Sequence, residues 1–556
     1  MKKSPVKKLI ALMLVVVMAA ALLPVGSEAL SGIFVNSANT TLSGTLSGSY
    51  AVGSGGKSVI GTSSPYVMTA SGLTTIGGSS GGSNPGTAST VIDKSKYTDG
   101  SRYNNPAVNI SKVRVGLFYG SSALTQAKLL NEVGSGYKFG YFDSSRTFHE
   151  VGYTTEKALT MIKDTNVPVD GVGTIGCYHI KLNTSYSDFN SAQTAASAYA
   201  DGFPAYYNGT YYVLRGNYTT QQAAAAAIAS SGVSGTAFSA SNRCVVVTKS
   251  DTNKILFEYD GGTSTTLAIE PQSSSGKAQT WFKGYKYYGA FQYDRRDGGN
   301  LTVSNFVDLE DYVKGVIPYE MTPSWPVEAL KAQALCARTY VATNMNSYSK
   351  YGFDVTNDTY SQVYRGTSGA NSRSDQAVDE TAGLFVRYQG KLCSTFYFSS
   401  DGGSTEDSGN VFQNSYPYLA GVIDPFEEAA SFNYKTWSYT FTGAELSSKL
   451  VKKGYNIGTV TNVTPTYSPT GNCIKISFSD ANGRAVTLTK TNAYNGIGLP
   501  SCHFTVTGSG GSFVFDGGGW GHNCGMSQWG AYSMAKNYGY TADDIIRFYF
   551  TGAYIA

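Results

Sequence analysis

Residues 308–334 read DLEDYVKGVIPYEMTPSWPVEALKAQA, and the register on either side of Glu320 decides how the C-terminal half folds. Leu309, Tyr312, Val313 and Val316 recur at helical spacing and predict a short amphipathic helix. Pro318 and Pro323 each disfavour helical geometry in the preceding residue, so they predict a rigid connection bracketing Glu320. Ser324 is the expected cap of a second helix, with Pro326 in its first turn. Val327, Leu330, Ala334, Ala337 and Val341 mark the buried stripe of that helix. Glu320 then sits among Tyr319, Met321 and Trp325. Apolar neighbours raise a carboxyl pKa by desolvation, which a general acid working near neutral pH requires, while a nearby helix start pulls the other way. An acid ahead of a helix is more often a solvated, dipole-stabilised side chain, so this stretch alone does not make Glu320 catalytic.

Upstream, Val113 to Tyr119 alternates as a strand, and Ala123 to Val133 reads as a helix. Tyr178 to Leu182 predicts a strand and Ser191 to Ala200 a helix. Two Tyr-rich strands flank Asn208-Gly209, a hairpin dipeptide, and Gln221 to Ala229 predicts a second helix. Cys244 to Val247 is the expected closing strand. This β-α-β-β-α-β order resembles the sporulation-related repeat (SPOR) domain, a likeness that implies binding to peptidoglycan glycan strands stripped of stem peptides. The expected class is therefore α+β and multidomain, a mixed α/β C-terminal catalytic domain preceded by a small βαββαβ SPOR-like domain. The expected boundaries are a signal peptide at 1–29, a Gly/Ser/Thr-rich segment at 30–110 and a small α/β segment at 111–174. The SPOR-like unit follows at 175–250, a linker at 251–280 and the C-terminal domain at 281–556.

Lys2, Lys3, Lys7 and Lys8 ahead of the apolar run Leu9 to Leu23 form a secretory leader, with cleavage expected after Ala29. The chain is then secreted or wall-associated; left uncleaved, the leader would anchor it to a membrane. The chain has 42 Lys+Arg and 38 Asp+Glu, and loss of the leader removes four Lys and one Glu, leaving 38 basic against 37 acidic groups. A neutral chain with only 14% charged residues, against a usual value of about 25%, excludes a nucleic-acid partner. Its 42 Tyr and 64 Gly suit a polar uncharged ligand such as carbohydrate. The seven cysteines show no Cys-x-x-Cys spacing, and their odd number leaves at least one thiol free or intermolecular; Cys473 and Cys502 could pair in an exported protein, but the favoured reading is mostly buried, small apolar residues. The four His residues lack ligand spacing, which argues against a zinc amidase.

Motifs beyond Glu320 strengthen its case. They are the helix Ala329 to Tyr340, Gln362-Val-Tyr-Arg-Gly366, Ala377 to Gly383, Tyr397-Phe-Ser-Ser-Asp-Gly-Gly-Ser-Thr-Glu406, Pro417-Tyr-Leu419 and Gly519-Trp-Gly-His-Asn-Cys-Gly-Met-Ser-Gln528-Trp-Gly-Ala531. In this order they resemble the stage II sporulation protein D family, which includes the amidase-enhancer LytB proteins, over about residues 285–556. The resemblance implies a lytic transglycosylase in which Glu320, the acid of the Pro-x-Glu-Met motif, is the catalytic acid/base. It also leaves a non-catalytic wall protein that stimulates an amidase as the alternative. Gln333, Arg338, Gln362, Tyr397, Ser399, Ser400, Gly402, His522, Ser527 and Gln528 are the expected substrate-binding residues, with a structural hydrogen bond the competing role for His522. Asp401 and Glu406 are the carboxylates that a hydrolase would use instead. Some relatives carry a metal-associated His-Cys pair just before Gln-Val-Tyr; here Tyr360-Ser361 stands there, so no metal and no cofactor is expected. Asn523-Cys524 replaces the Gly-Val pair common in relatives. Thr541 to Asp544 is a capping signal for the last helix.

Overall fold

Strands with alternating inward residues build most of the molecule. β1 (Lys112–Phe118) buries Val113, Val115 and Leu117. β2 (Gln126–Asn131) buries Ala127, Leu129 and Asn131 while Lys128 and Leu130 face out. Composition predicts a helix there, but burial of every second residue, with pairing to a neighbouring strand, overrides it. β3 (Gly136–Phe142), β4 (Phe148–Thr154) and β5 (Ala158–Lys163) follow. The computed structural model describes residues 51–53, 57–59, 66–69, 72–75, 90–509 and 511–556. The expected leader lies outside the described residues, as does most of the Gly/Ser/Thr-rich segment. Residues 1–79 and 80–556 separate as two units. In the first, Ala51–Gly53 pairs with Lys57–Val59 and Tyr66–Thr69 with Gly72–Thr75.

The second unit contains the expected βαββαβ run: β6 (Tyr178–Tyr186), α1 (Phe189–Ala196), β7 (Gly202–Tyr207), β8 (Thr210–Tyr218), α2 (Gln221–Ser231) and β9 (Gly235–Phe238). Asp188 and Thr220 cap the two helices, and Asn208 and Gly209 adopt positive φ of 47° and 97° in the β7–β8 turn. The spatial order is β9-β6-β8-β7. The closing strand is Gly235–Phe238, antiparallel to β6, rather than Cys244–Val247. That later run forms β10 (Val245–Lys249), which pairs with β5 and with β11 (Ile255–Asp260). Val245, Val246, Val247 and Thr248 are all buried, which suits a sheet centre; half-buried β9 suits an edge.

Residues 251–280, expected as a linker, carry β11 and β12 (Leu267–Gln272), both with buried apolar residues. β13 (Thr280–Phe282) and β14 (Tyr285–Tyr287) complete a ten-stranded sheet, ordered β9-β6-β8-β7-β11-β10-β5-β2-β13-β14. β7 and β11 pair in parallel, with Ala205 opposite Glu258. β15 (Ala290–Asp294) and β16 (Thr302–Asp308) lead into α3 (Leu309–Glu320), α4 (Val327–Thr343) and β17 (Val355–Thr356). The second sheet runs β17-β1-β16-β15-β12-β3-β4.

Pro318 lies inside α3, which continues to Glu320, and Pro326 rather than Ser324 is the residue before α4. Near the end of a helix a proline forfeits only one backbone bond, so α3 tolerates it. α4 is buried well beyond the expected stripe, with Ala332, Gln333, Leu335, Cys336 and Arg338 all enclosed. α5 (Ser372–Asp379) packs beside it, and β18 (Tyr397–Phe398) pairs in parallel with β19 (Met526–Ser527), which leads into α6 (Gln528–Asn537). Thr541 and Asp544 form a reciprocal capping box on α7 (Ala542–Tyr549), as the sequence predicts. Residues between 441 and 515 carry a satellite core around Leu446, Ile476, Phe478 and Phe515. Cys473 and Cys502 sit on hydrogen-bonded neighbouring segments as free thiols. Among the described residues no helix is long and apolar enough to cross a membrane.

Candidate active site

The extension of α3 through Pro318 makes Glu320 its last helical residue. A helix C-terminus carries partial negative charge and disfavours a carboxylate. Burial acts in the same direction, so the opposing pull predicted from a helix start is replaced by two effects that both favour the acid. The Val363 N–H donates to Glu320 Oε1 at 2.9 Å, and Tyr397 and Gln528 also hydrogen-bond the carboxyl. Burial outweighs these three bonds and holds Glu320 above the usual glutamate range.

A relay of neutral groups fixes that environment. The Tyr312 hydroxyl donates to Gln362 Oε1 at 2.9 Å, and Gln362 Nε2 donates to the Tyr397 hydroxyl at 3.0 Å. With its oxygen accepting from Gln362, Tyr397 is left to donate its proton towards Glu320. Burial, and then the Glu320 charge, push the Tyr397 hydroxyl well up, so it stays a donor at working pH. Gln528 Nε2 donates to Gln333 Oε1 at 3.3 Å, tying α6 to α4. Glu320, Gln333, Gln362, Tyr397 and Gln528 therefore converge, drawn from α3, α4, the loop after β17, β18 and α6.

The other expected substrate-binding residues do not join them. Ser400 and Ser527 are fully buried, and both donate to Glu427, at 2.5 and 2.6 Å. The backbone N–H groups of Asp401 and Gly402 reach the same carboxylate at 2.9 and 3.1 Å. Gly402, at φ 74°, lies so close to Gly518 that a Cβ would come within 2.5 Å of its carbonyl carbon. Ser399 is half-buried and its carbonyl accepts from Trp529 N at 3.0 Å. His522 is boxed by Phe396, Phe398 and Phe412, and its Nδ1 accepts from Cys524 N at 3.2 Å. Burial lowers its pKa to about 4, so it is a neutral loop-holding group. Asn523, at φ 57°, locks the same loop by donating to the Asp401 carbonyl at 2.7 Å.

Arg338 is fully buried; its guanidinium pairs with Glu310 at 2.7 Å and reaches Thr381 and the Val378 and Leu384 carbonyls. It holds α4 against α3 and α5 and has nothing left to offer a sugar. Arg338→Met should cost about 3 kcal/mol of stability in denaturant titration, while the folded fraction keeps its KM for any glycan substrate. A large rise in KM at unchanged stability would return Arg338 to the binding site.

Neither expected second carboxylate is presented to solvent. Glu406 is buried and bonded to Ser468, Thr470 and Asn410 at 2.5–2.8 Å. Asp401 is buried against Glu427 and Asp424, and burial with their charge pushes it well up. At the positions just before Gln362, Tyr360 is exposed and Ser361 Oγ accepts from Thr356 N, and neither side chain is a zinc donor.

Sequence reasoning missed three features. The Val363 amide carries no side-chain signal, and nothing in the spacing marks Glu427 as the hub of four hydrogen bonds. The third is a set of ring contacts on segments that adjoin site residues: Trp325 against Trp529 and Tyr532, Trp529 against Phe432, and half-exposed Trp520 against Tyr434. Tryptophans on both quoted motifs, at Trp325, Trp520 and Trp529, were the available signal.

The family described as stage II sporulation protein matches residues 297–388, which span α3, α4 and the Gln362 loop. An uncharacterised protein of Brachyspira hyodysenteriae is 36% identical over 284 residues, 48% of this chain and 72% of that protein. Stage II sporulation protein D of Bacillus subtilis is 33% identical over 275 residues, 46% of this chain and 76% of its own length. The amidase enhancer of the same organism is 29% identical over 339 residues, 52% of this chain and 46% of its own length. Agreement over 76% of the sporulation protein's length, together with the family match across the helices that carry Glu320 and Gln333, carries the assignment: this chain belongs to the stage II sporulation protein D family.

Proposed function

We propose that this chain is an exported peptidoglycan lytic transglycosylase, cleaving the MurNAc–GlcNAc bond of glycan strands that lack stem peptides. The observation that carries the reading is a half-buried carboxyl whose pKa desolvation raises, and whose hydrogen-bonding neighbours, Val363, Tyr397 and Gln528, include no second acid. Protonated Glu320 donates to the glycosidic oxygen as the C1–O bond breaks. The resulting carboxylate then takes the proton of the MurNAc 6-hydroxyl while O6 closes on C1, giving a 1,6-anhydro end without water. A hydrolase would normally need a partner carboxylate, and Asp401 and Glu406 are buried and engaged elsewhere. Trp520 and Tyr434 offer exposed ring faces for stacking on sugars.

The β9-β6-β8-β7 order of the upstream run supports a SPOR-like glycan-binding role for that unit. The family supports a cell-wall role, in sporulation or in vegetative turnover, and the leader-like sequence at residues 1–29 supports export. The relative named amidase enhancer favours a second reading, in which the chain binds wall glycan and stimulates an amidase. Digestion of purified strands with and without stem peptides, followed by mass analysis, separates the two. Anhydro-ended fragments from the bare strands are expected. Reducing ends would mean hydrolysis, and intact strands that still bind would remove the enzyme reading.

A further inference from the structure

Away from Glu320, one buried group of metal-ligating side chains has no part in the proposed reaction. Asp164 follows β5, His179 lies in β6, Cys244 precedes β10 and Glu258 lies in β11; His179, Cys244 and Glu258 are 0% exposed and Asp164 7%. One ligand atom each from Asp164, Cys244 and Glu258 lies within 4.8 Å of the others. His179 Nε2 stands 3.2 Å from Glu258 Oε2. His179 Nδ1 is 2.6 Å from the Gly216 carbonyl, which only accepts, so Nδ1 carries the proton and Nε2 presents a lone pair. Asp164 Oδ1, His179 Nε2 and Glu258 Oε2 have no hydrogen-bond partner among the described residues. Buried polar atoms are nearly always paired, so three bare acceptors in one knot call for a cation.

We propose that Asp164, His179, Cys244 and Glu258 form a buried zinc site that fastens the βαββαβ unit to the centre of the ten-stranded sheet. A thiolate, an imidazole and carboxylates are zinc donors, whereas calcium and magnesium take oxygen alone. A His whose other nitrogen donates to a backbone carbonyl is the arrangement that orients zinc-binding imidazoles. Tyr207 and Cys244 both donate to Glu258 Oε1, at 2.8 and 3.2 Å, and leave Oε2 free. The Arg295 guanidinium donates to the Cys244 and Asp164 carbonyls at 2.7 and 3.2 Å. Two carboxylates and one thiolate then balance Zn²⁺ and Arg295. Asp260, the remaining nearby acid, is occupied by the N–H groups of Ser241 and Gly262. A cleft of about 670 Å³ that includes Asp164, Cys177 and Arg295 gives the ion a route in.

The test uses the full chain, stripped with a chelator and reloaded with zinc or cobalt(II). One zinc per chain is expected by elemental mass spectrometry, with a higher Tm than the stripped protein. Cobalt(II) should give a thiolate-to-metal charge-transfer band. Cys244→Ser should abolish that band and weaken zinc binding more than about 100-fold, beyond what outer-shell changes cost; Cys177→Ser, in the lining of the cleft, should keep both. Folded wild-type protein without stoichiometric zinc would overturn the site and leave a proton-sharing cluster. A cobalt band surviving in Cys244→Ser would overturn it equally. Neither readout depends on glycan cleavage, so this site and the Glu320 reading fail separately.

Discussion

Glu320→Gln should lower the rate of anhydro-end formation by about 10²–10⁴-fold while leaving the protein folded and able to bind glycan. Glutamine keeps an oxygen for the Val363 N–H, so the loop after β17 stays anchored, but it has no proton to give the leaving oxygen. Wild-type activity should fall as pH rises through the Glu320 pKa, at a pH above the usual glutamate range, because burial raises that pKa. The same shift acts on stability with a defined sign. A carboxyl whose folded pKa is raised contributes fully below its unfolded value, and that contribution is lost as pH rises through the folded value. Above its folded pKa the wild type bears the cost of a half-buried carboxylate and the variant does not. Glu320→Gln should therefore melt higher at neutral pH, the gap closing near about pH 4. A variant that melts lower at pH 7, or that still makes anhydro ends, would show that Glu320 is not a strained acid.

The second large effect lies at Glu427. Its two oxygens accept from Ser400, Asp401 N, Gly402 and Ser527, and so join the loop after β18 to the start of α6. Glu427→Ala strands two buried N–H groups and two hydroxyls, each costing about 1–3 kcal/mol when unpaired. Loss of the Glu427 charge relieves Asp401, which that charge pushes up, and offsets part of the cost. A net destabilisation of about 3–5 kcal/mol is expected in urea titration. Activity should fall as well, since Tyr397 and Gln528 sit on the two segments that Glu427 joins. Stability within about 1 kcal/mol of wild type would mean that the loops are held by something else.

The helices around Glu320, the hairpin at Asn208-Gly209 and the cap at Thr541 were legible because each rests on local chemistry. Two misread stretches depended on distant partners. Gln126 to Asn131 uses helix-forming residues, yet it is a strand because β5 and β13 flank it. Residues 251–280 look like a tether beside their Ser/Gly run, yet Ile255 to Asp260 enters the sheet centre. In the site, the motifs located Glu320, Gln333, Gln362, Tyr397 and Gln528, residues whose side chains meet in one cluster. The same motifs contain Arg338, Ser400 and Ser527, which support the fold from inside. Recurrence in a motif does not separate a group that faces a sugar from one that holds the loop, because burial is set by the whole chain. The Asp164–His179–Cys244–Glu258 group was invisible for a related reason, since four residues scattered between 164 and 258, in or beside different strands, meet only in the folded sheet.

The parallel pairing of β7 with β11 bears on how a long polymer would be handled. Modules joined by a flexible tether sample many separations, and their joint grip on a strand varies with tether length. Here the βαββαβ unit shares backbone hydrogen bonds with the sheet that continues towards β13 and β14, so it does not swing. A glycan strand gripped by this unit and cut at Glu320 would be held like a rod in a vice. The distance from grip to cut would be constant, and fragment lengths would cluster about a preferred value rather than spread at random.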